Sequence, residues 1–105
     1  MENRIKGLFN HTVLQKTLYF QSDSGFLLMV MKNRRQEVLD VPLARIENML
    51  PPGLFCRVHR NYIVNINAIS ELRHYRDQFF ALVHEYRIPV SRRRKKILMD
   101  SLDIL

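Results

Sequence analysis

The sequence predicts a mainly β domain, α+β by count, built from layered antiparallel strands with two short helices. Three observations carry this. Short runs rich in Val, Ile, Thr, Tyr and Phe follow one another with only brief polar turns between them. Apolar residues recur at helical spacing in just two segments. Strands do not alternate with long helices, which argues against a doubly wound parallel sheet. A chain of 105 residues has room for one core, and no linker or internal repeat divides it.

Residues 1–12 are weakly patterned, a frayed arm or a partial first strand, so the domain proper is expected over 13–105. Residues 13–21 have β-favouring composition and predict a strand, closed by the turn Ser22-Asp23-Ser24-Gly25. Residues 26–31 are wholly apolar and predict a strand buried on both faces. A polar hairpin loop follows, and residues 37–41 return. Pro42 suits a first helical turn; Leu43, Ile46, Met49 and Leu50 then form one stripe, and Pro51-Pro52-Gly53 ends it. Residues 54–58 and 62–64 predict two more short strands. Residues 69–75 and 79–84 predict a hairpin turning near Arg76-Asp77-Gln78, and residues 87–90 a last strand.

The closing helix holds the strongest functional signal. Arg87 to Lys96 carry six cations and no acid. Ser91 is a good N-cap, and Ile97, Leu98, Ser101, Leu102 and Leu105 continue at helical spacing. The cations therefore occupy the first turns of a helix, where the macrodipole is already positive and each costs roughly 0.3–1 kcal/mol. Acids at Arg92, Arg93 and Arg94 would serve stability better. Free backbone N–H groups and clustered cations form an anion site, and a polyanion would convert the cost into binding. The competing interpretation is a solvated basic helix with screened charges.

Net charge is +7. Residues 1–56 hold seven Lys/Arg against five Asp/Glu, whereas residues 57–105 hold ten against five. A basic domain of this size points to nucleic acid or an acidic membrane surface. The single cysteine, Cys56, gives no disulfide framework and suggests a reducing compartment. The longest apolar run has six residues, far below the ~20 that span a bilayer.

Other chemistries find little support. Cys56, His59, His74 and His84 fall on different expected strands without a second close pair, so no metal site and no cofactor are expected. Asp77, Glu85 and the histidines form no acid–base order, and no glycine-rich phosphate loop exists, so an enzyme is not expected. Ser91 is better explained as a helix cap than as a nucleophile.

The second informative stretch is Phe55-Cys56-Arg57-Val58-His59-Arg60-Asn61-Tyr62-Ile63-Val64-Asn65. Strand alternation places Phe55, Arg57 and His59 on one face, and Cys56, Val58 and Arg60 on the other. The apolar pattern breaks at Arg60-Asn61, which predicts a turn at a sheet edge. Arg reads guanine bidentately, and Arg and Asn both hold phosphates. His59 is expected to bridge strand and turn by a hydrogen bond, with a DNA contact as the second role.

That stretch, with Ile88-Pro89-Val90-Ser91-Arg92 and the basic helix after it, resembles the LytTR DNA-binding domain family. Leu18-Tyr19-Phe20-Gln21-Ser22-Asp23 and the helical segment at 43–50 fit its upstream part, so the resemblance covers about residues 13–100. It implies an elongated stack of small antiparallel sheets. It also implies DNA read by loops, two in successive major grooves and one over the minor groove between, with the duplex bent. Carried over by position, the first loop is Asp23-Ser24-Gly25-Phe26, with Ser24 and Gly25 at its tip. The middle loop holds Arg60, with Asn61 and His59 beside it. The third presents Arg92, and Lys95 and Lys96 hold phosphates. The charge pattern itself gives Arg93 a phosphate role too.

The function expected is sequence-specific binding of double-stranded DNA for transcriptional regulation in a bacterial cytoplasm. The resemblance further implies the output domain of a two-component response regulator, a receiver domain in the longer chain, direct-repeat sites and pairing of two copies on DNA. The alternatives are single-stranded RNA stacked on Tyr19, Phe20, Tyr75, Phe79 and Phe80, and an acidic membrane surface. Membrane association is disfavoured because the last helix needs its apolar residues for docking and the chain has no Trp.

Overall fold

Alternating side chains drive two separate cores onto opposite faces of one sheet. The computed structural model describes Gly7 and residues 9–102. Most of the N-terminal arm (1–6 and 8) and the end of the last helical stripe at Leu105 lie outside the described residues.

Three α-helices and eight strands are described. In chain order they are α1 (His11–Gln15), β1 (Thr17–Asp23), β2 (Phe26–Met31), β3 (Gln36–Leu39), α2 (Leu43–Met49), β4 (Phe55–His59), β5 (Tyr62–Asn65), β6 (Ile69–Tyr75), β7 (Gln78–Val83), β8 (Tyr86–Val90) and α3 (Arg92–Ser101). Short 3-10 turns occupy Lys32–Arg34 and Ile66–Ala68. A five-stranded antiparallel sheet runs β3-β2-β1-β5-β4, and a three-stranded one runs β6-β7-β8. The fold is mainly β and elongated, with extents of 41 × 28 × 25 Å.

On one face of the large sheet, Phe20, Leu27, Met29, Met31, Leu39 and Ile63 meet Leu14 of α1 and Leu43 and Ile46 of α2. On the other face, Tyr19, Val30, Cys56, Val58 and Val64 meet Ala81, Val83, Ile88 and Val90 of the small sheet and Leu98 of α3. The register shift between Thr17 and Tyr19 lets the consecutive Leu18 and Tyr19 both enter this second core. Tyr19 packs edge-on against Tyr86 at 5.2 Å. Burial, with lesser effects from Tyr86, Tyr62 and Glu85, pushes its hydroxyl up to about 12.

Asn65 ends β5 while buried. Its amide donates to the Thr17 carbonyl (2.9 Å), and its Oδ1 accepts the Asn67 N–H (2.9 Å). A buried side-chain amide is tolerated because both ends are satisfied.

Several sequence expectations change. Residues 13–15 are helical, not extended. The Asn10 side chain accepts the Val13 N–H, and the Thr17 hydroxyl returns to the Val13 carbonyl. These caps outweigh local β propensity, and three α-helices stand among the described elements where two were expected. Phe26 opens β2 but is 59% exposed, so burial on both faces begins at Leu27. Pro42 is the cap residue before α2 rather than its first helical residue. In the α2 stripe Leu43 and Ile46 are buried, while Met49 leans into solvent. In α3 Leu98 carries the docking, and Ile97 is 53% exposed.

Candidate nucleic-acid interface

The β4–β5 turn is built around one arginine. β4 alternates as expected, with Cys56 and Val58 inward and Phe55, Arg57 and His59 half-buried. Arg57 spends its whole guanidinium within the protein. Nε donates to the His59 carbonyl (3.2 Å), Nη2 to the Arg60 carbonyl (2.6 Å) and Nη1 to Glu47 of α2 (2.9 Å). The planar fork suits this use, since it satisfies two turn carbonyls and a carboxylate at once. The turn is also tied to β1, because Ser22 N–H donates to the Asn61 carbonyl (2.9 Å). Arg60 is left exposed at the tip, and its guanidinium has no described side-chain partner.

His59 takes the expected bridging role. Its Nδ1 accepts the Asn61 N–H at 3.1 Å, and its ring meets Tyr62 edge-on at 5.7 Å. Burial first, then the Arg60 and Arg57 charges, hold its pKa below the ordinary histidine value. The neutral ring that accepts this bond is thereby favoured.

Beside this turn α3 begins. Ser91 occupies the cap position, but its hydroxyl makes no cap bond; its backbone N–H donates to the Val58 carbonyl at 2.8 Å. The expected side-chain cap is therefore absent, and the strand-to-helix junction is anchored to β4 through the backbone. No acid occupies the first turn. Arg94 bends back to the Arg57 carbonyl (3.4 Å). Lys95 Nζ lies 3.0 Å from His74 Nε2 and 4.7 Å from the centre of the Phe79 ring. Arg92, Arg93 and Lys96 are exposed and make no ion pair among the described residues. Lys96 follows Arg92 by one helical turn and shares its side of α3.

Two open clefts order these residues. One, of about 490 Å³, is lined by His59, Ser91, Arg92 and Lys95, and across it by His74, Arg76 and Gln78 of the β6–β7 hairpin. The second, of about 430 Å³, lies between Gly25 and Phe26, the start of α2, and Arg57 and Arg60. Ser24 and Gly25 have φ of +48° and +86°, the paired left-handed geometry of a two-residue hairpin. The Ser24 hydroxyl donates to Asp23 (3.2 Å). So the structure brings His59, Arg92 and Lys95 together, and Gly25 with Arg60. Asn61 is half-buried, and Ser24, Asn61, Arg93 and Lys96 line neither cleft.

Sequence reasoning gave no role to Arg57 or to the β6–β7 tip. Arg57's value lies in contacts to Glu47 and to carbonyls beyond the bend, which no local pattern announces. The tip had one signal, Arg76 at a turn, too common to single out. Of the aromatics considered for base stacking, Tyr19 and Phe20 are buried in the cores and unavailable; Tyr75 is 57% exposed. Cys56 is also buried, and burial raises its thiol pKa, the behaviour of a small core residue.

A layered antiparallel scaffold with exposed cations at a turn and at one helix start has the charge pattern of a nucleic-acid-binding domain. The family model for the LytTr DNA-binding domain matches residues 11–103, and the chain belongs to that family. It is 38% identical over 64 residues to the sensory transduction protein LytT of Bacillus anthracis, covering 59% of this chain and 26% of that protein. It is 27% identical over 82 residues to the transcriptional regulatory protein YpdB of Escherichia coli O6:H1, covering 75% of this chain and 34% of that protein. The chain thus spans about a quarter to a third of these relatives. A solved LytTr DNA-binding domain from Bacillus cereus superposes with a TM-score of 0.76 at 23% identity, over 85% of this chain and 83% of that one, which establishes the shared fold. No helix among the described residues is long and apolar enough to cross a membrane.

Proposed function

We propose that this DNA-binding domain recognises duplex DNA in a sequence-dependent way and regulates transcription in a bacterial cytoplasm, as the output half of a two-component response regulator. The observation that carries the reading is the gathering of Arg92, Lys95 and His59 around one cleft, with Arg60 and Gly25 around the next. Arg92 and Arg60 read base edges in this account, and Arg93, Lys95 and Lys96 neutralise phosphates. Asn61 and His59 fix the middle turn and meet the backbone beside it. Ser24 and Gly25 form a small tip that lets the first turn approach the duplex closely.

The regulatory role is supported by what LytT and YpdB are called. A receiver domain elsewhere in a longer protein, direct-repeat sites and two copies side by side on DNA belong to the same proposal.

Selection from random duplexes tests it. One preferred sequence should emerge, and its affinity should fall with salt. If about six phosphates are engaged, log K against log salt should have a slope of roughly −5. A folded sample that selects nothing, or whose affinity ignores salt, contradicts the proposal.

A further inference from the structure

The β6–β7 tip carries a cation that none of the roles above uses. Arg76 stands there with φ +59°, its guanidinium 5.4 Å from the centre of its neighbour's ring, Tyr75. It makes no ion pair with any described residue, the adjacent Asp77 included. Arg76, Asp77, His74 and Gln78 form one wall of the 490 Å³ cleft, and Arg92, Lys95 and His59 line it from the α3 and β4 side. The two walls are joined, since Lys95 is held at His74 and Phe79 of the small sheet. The cleft therefore has cations on both sides and polar donors between them.

A left-handed backbone at an arginine is costly, because non-glycine residues seldom adopt it. A turn selected for stability alone would place Gly, Asn or Asp at this position. Arginine here offers charge instead.

We propose that this cleft seats a backbone phosphate of the bound duplex, gripped by Arg76 from the small sheet and by Lys95 from α3. The small sheet is then a second arm on the sugar-phosphate rail, not only a support for α3. The inference rests on the duplex-binding reading above. Arg76 adds affinity and no base preference, because a phosphate is the same at every step. Asp77, facing the same cleft, opposes the anion and moderates its hold.

The test uses salt-dependent binding to one preferred duplex and to its single-position variants. Arg76→Asn removes the cation while tolerating the left-handed backbone, so the hairpin is kept. It should weaken every duplex by about the same factor, roughly tenfold, and flatten the salt slope by about one unit. Arg76→Lys should recover most of the loss. Asp77→Asn should tighten all duplexes alike. The phosphate seat is overturned if Arg76→Asn binds with unchanged affinity and slope, if its loss falls on one base position, or if Asp77→Asn loosens binding. Those failures leave wild-type duplex binding intact. Failure of the underlying reading would instead show as a wild-type domain that binds no duplex.

Discussion

The two clefts at the cationic end use their arginines in opposite ways. Beside the first turn, Arg57 is consumed internally by two carbonyls and Glu47, and Asp23 sits at the end of the strand. Only Arg60 is left to face outward. Beside α3, Arg92 makes no ion pair among the described residues and the first helical turn carries no acid; Asp77 is the one acid lining that cleft, against Arg76, Arg92 and Lys95, so cationic charge is left over to face outward. One region spends charge on shape; the other keeps it for a ligand. Counting arginines along the sequence cannot separate these uses, because the distinction lies in what each guanidinium touches.

The contrast can be broken most severely at its anchor. Leu98 is fully buried in the second core and holds α3 against β4 and β8. Leu98→Ala should cost about 2–5 kcal/mol in denaturant unfolding. It should also displace the cationic side while sparing the core under α2. An unfolding midpoint equal to wild type would show that α3 is held otherwise.

The next largest effect tests the shape-bearing arginine. Arg57→Ala strips donors from the His59 and Arg60 carbonyls and leaves Glu47 alone, which should cost about 1–3 kcal/mol. Sequence discrimination by Arg60 should blur while the salt slope stays near wild type. A flattened slope with unchanged stability would place Arg57 on the DNA instead.

Lys96→Ala is expected to have a smaller and different effect. Every duplex should weaken similarly, and the salt slope should fall by about one unit. A loss confined to one base pair, seen by binding to single-position variants, would give Lys96 a reading role.

The smallest effect is that of pH. The folded pKa of His59 lies below its unfolded value, because burial and the Arg60 and Arg57 charges oppose protonation. The unfolded chain therefore binds more protons as pH falls through the ordinary histidine range. Stability from this group is present above about 6.5 and declines below it. The Asn61 N–H bond to Nδ1 is lost on protonation. His59→Gln should reduce the decline in urea-unfolding stability between neutral and mildly acid pH; an identical pH profile would show that His59 does not drive it.

Much of this arrangement was legible beforehand. β-rich alternation gave the strands, Pro51-Pro52-Gly53 the end of α2, and the run from Arg92 to Lys96 a helix that invites an anion. The fold and the family both followed from local patterns. What stayed hidden depends on distant partners. α1 forms because Asn10 captures the Val13 N–H, although Val13 and Thr17 favour strands by composition. Ser91 has the right residue type for a cap, yet its backbone bond to Val58 anchors the junction. Arg34 reaches Glu85 across 51 positions to tie the two sheets' loops together at 3.1 Å. His74 meets Lys95 only because the small sheet folds under α3. Of the residues expected to touch DNA, His59, Arg92 and Lys95 share one cleft and Gly25 and Arg60 the other, while Ser24 and Asn61 line neither. Arg93 and Lys96, expected on phosphates from the run of cations and, for Lys96, from the family resemblance, also line neither cleft.

The most direct test of the account is Arg92→Ala measured against a preferred duplex and the full set of its single-position variants. The account predicts a loss of ~1–3 kcal/mol on the preferred duplex and collapse of discrimination at one base position, with the others retained. An equal loss on every variant, or no loss from a folded protein, would contradict the assignment of base reading to the start of α3.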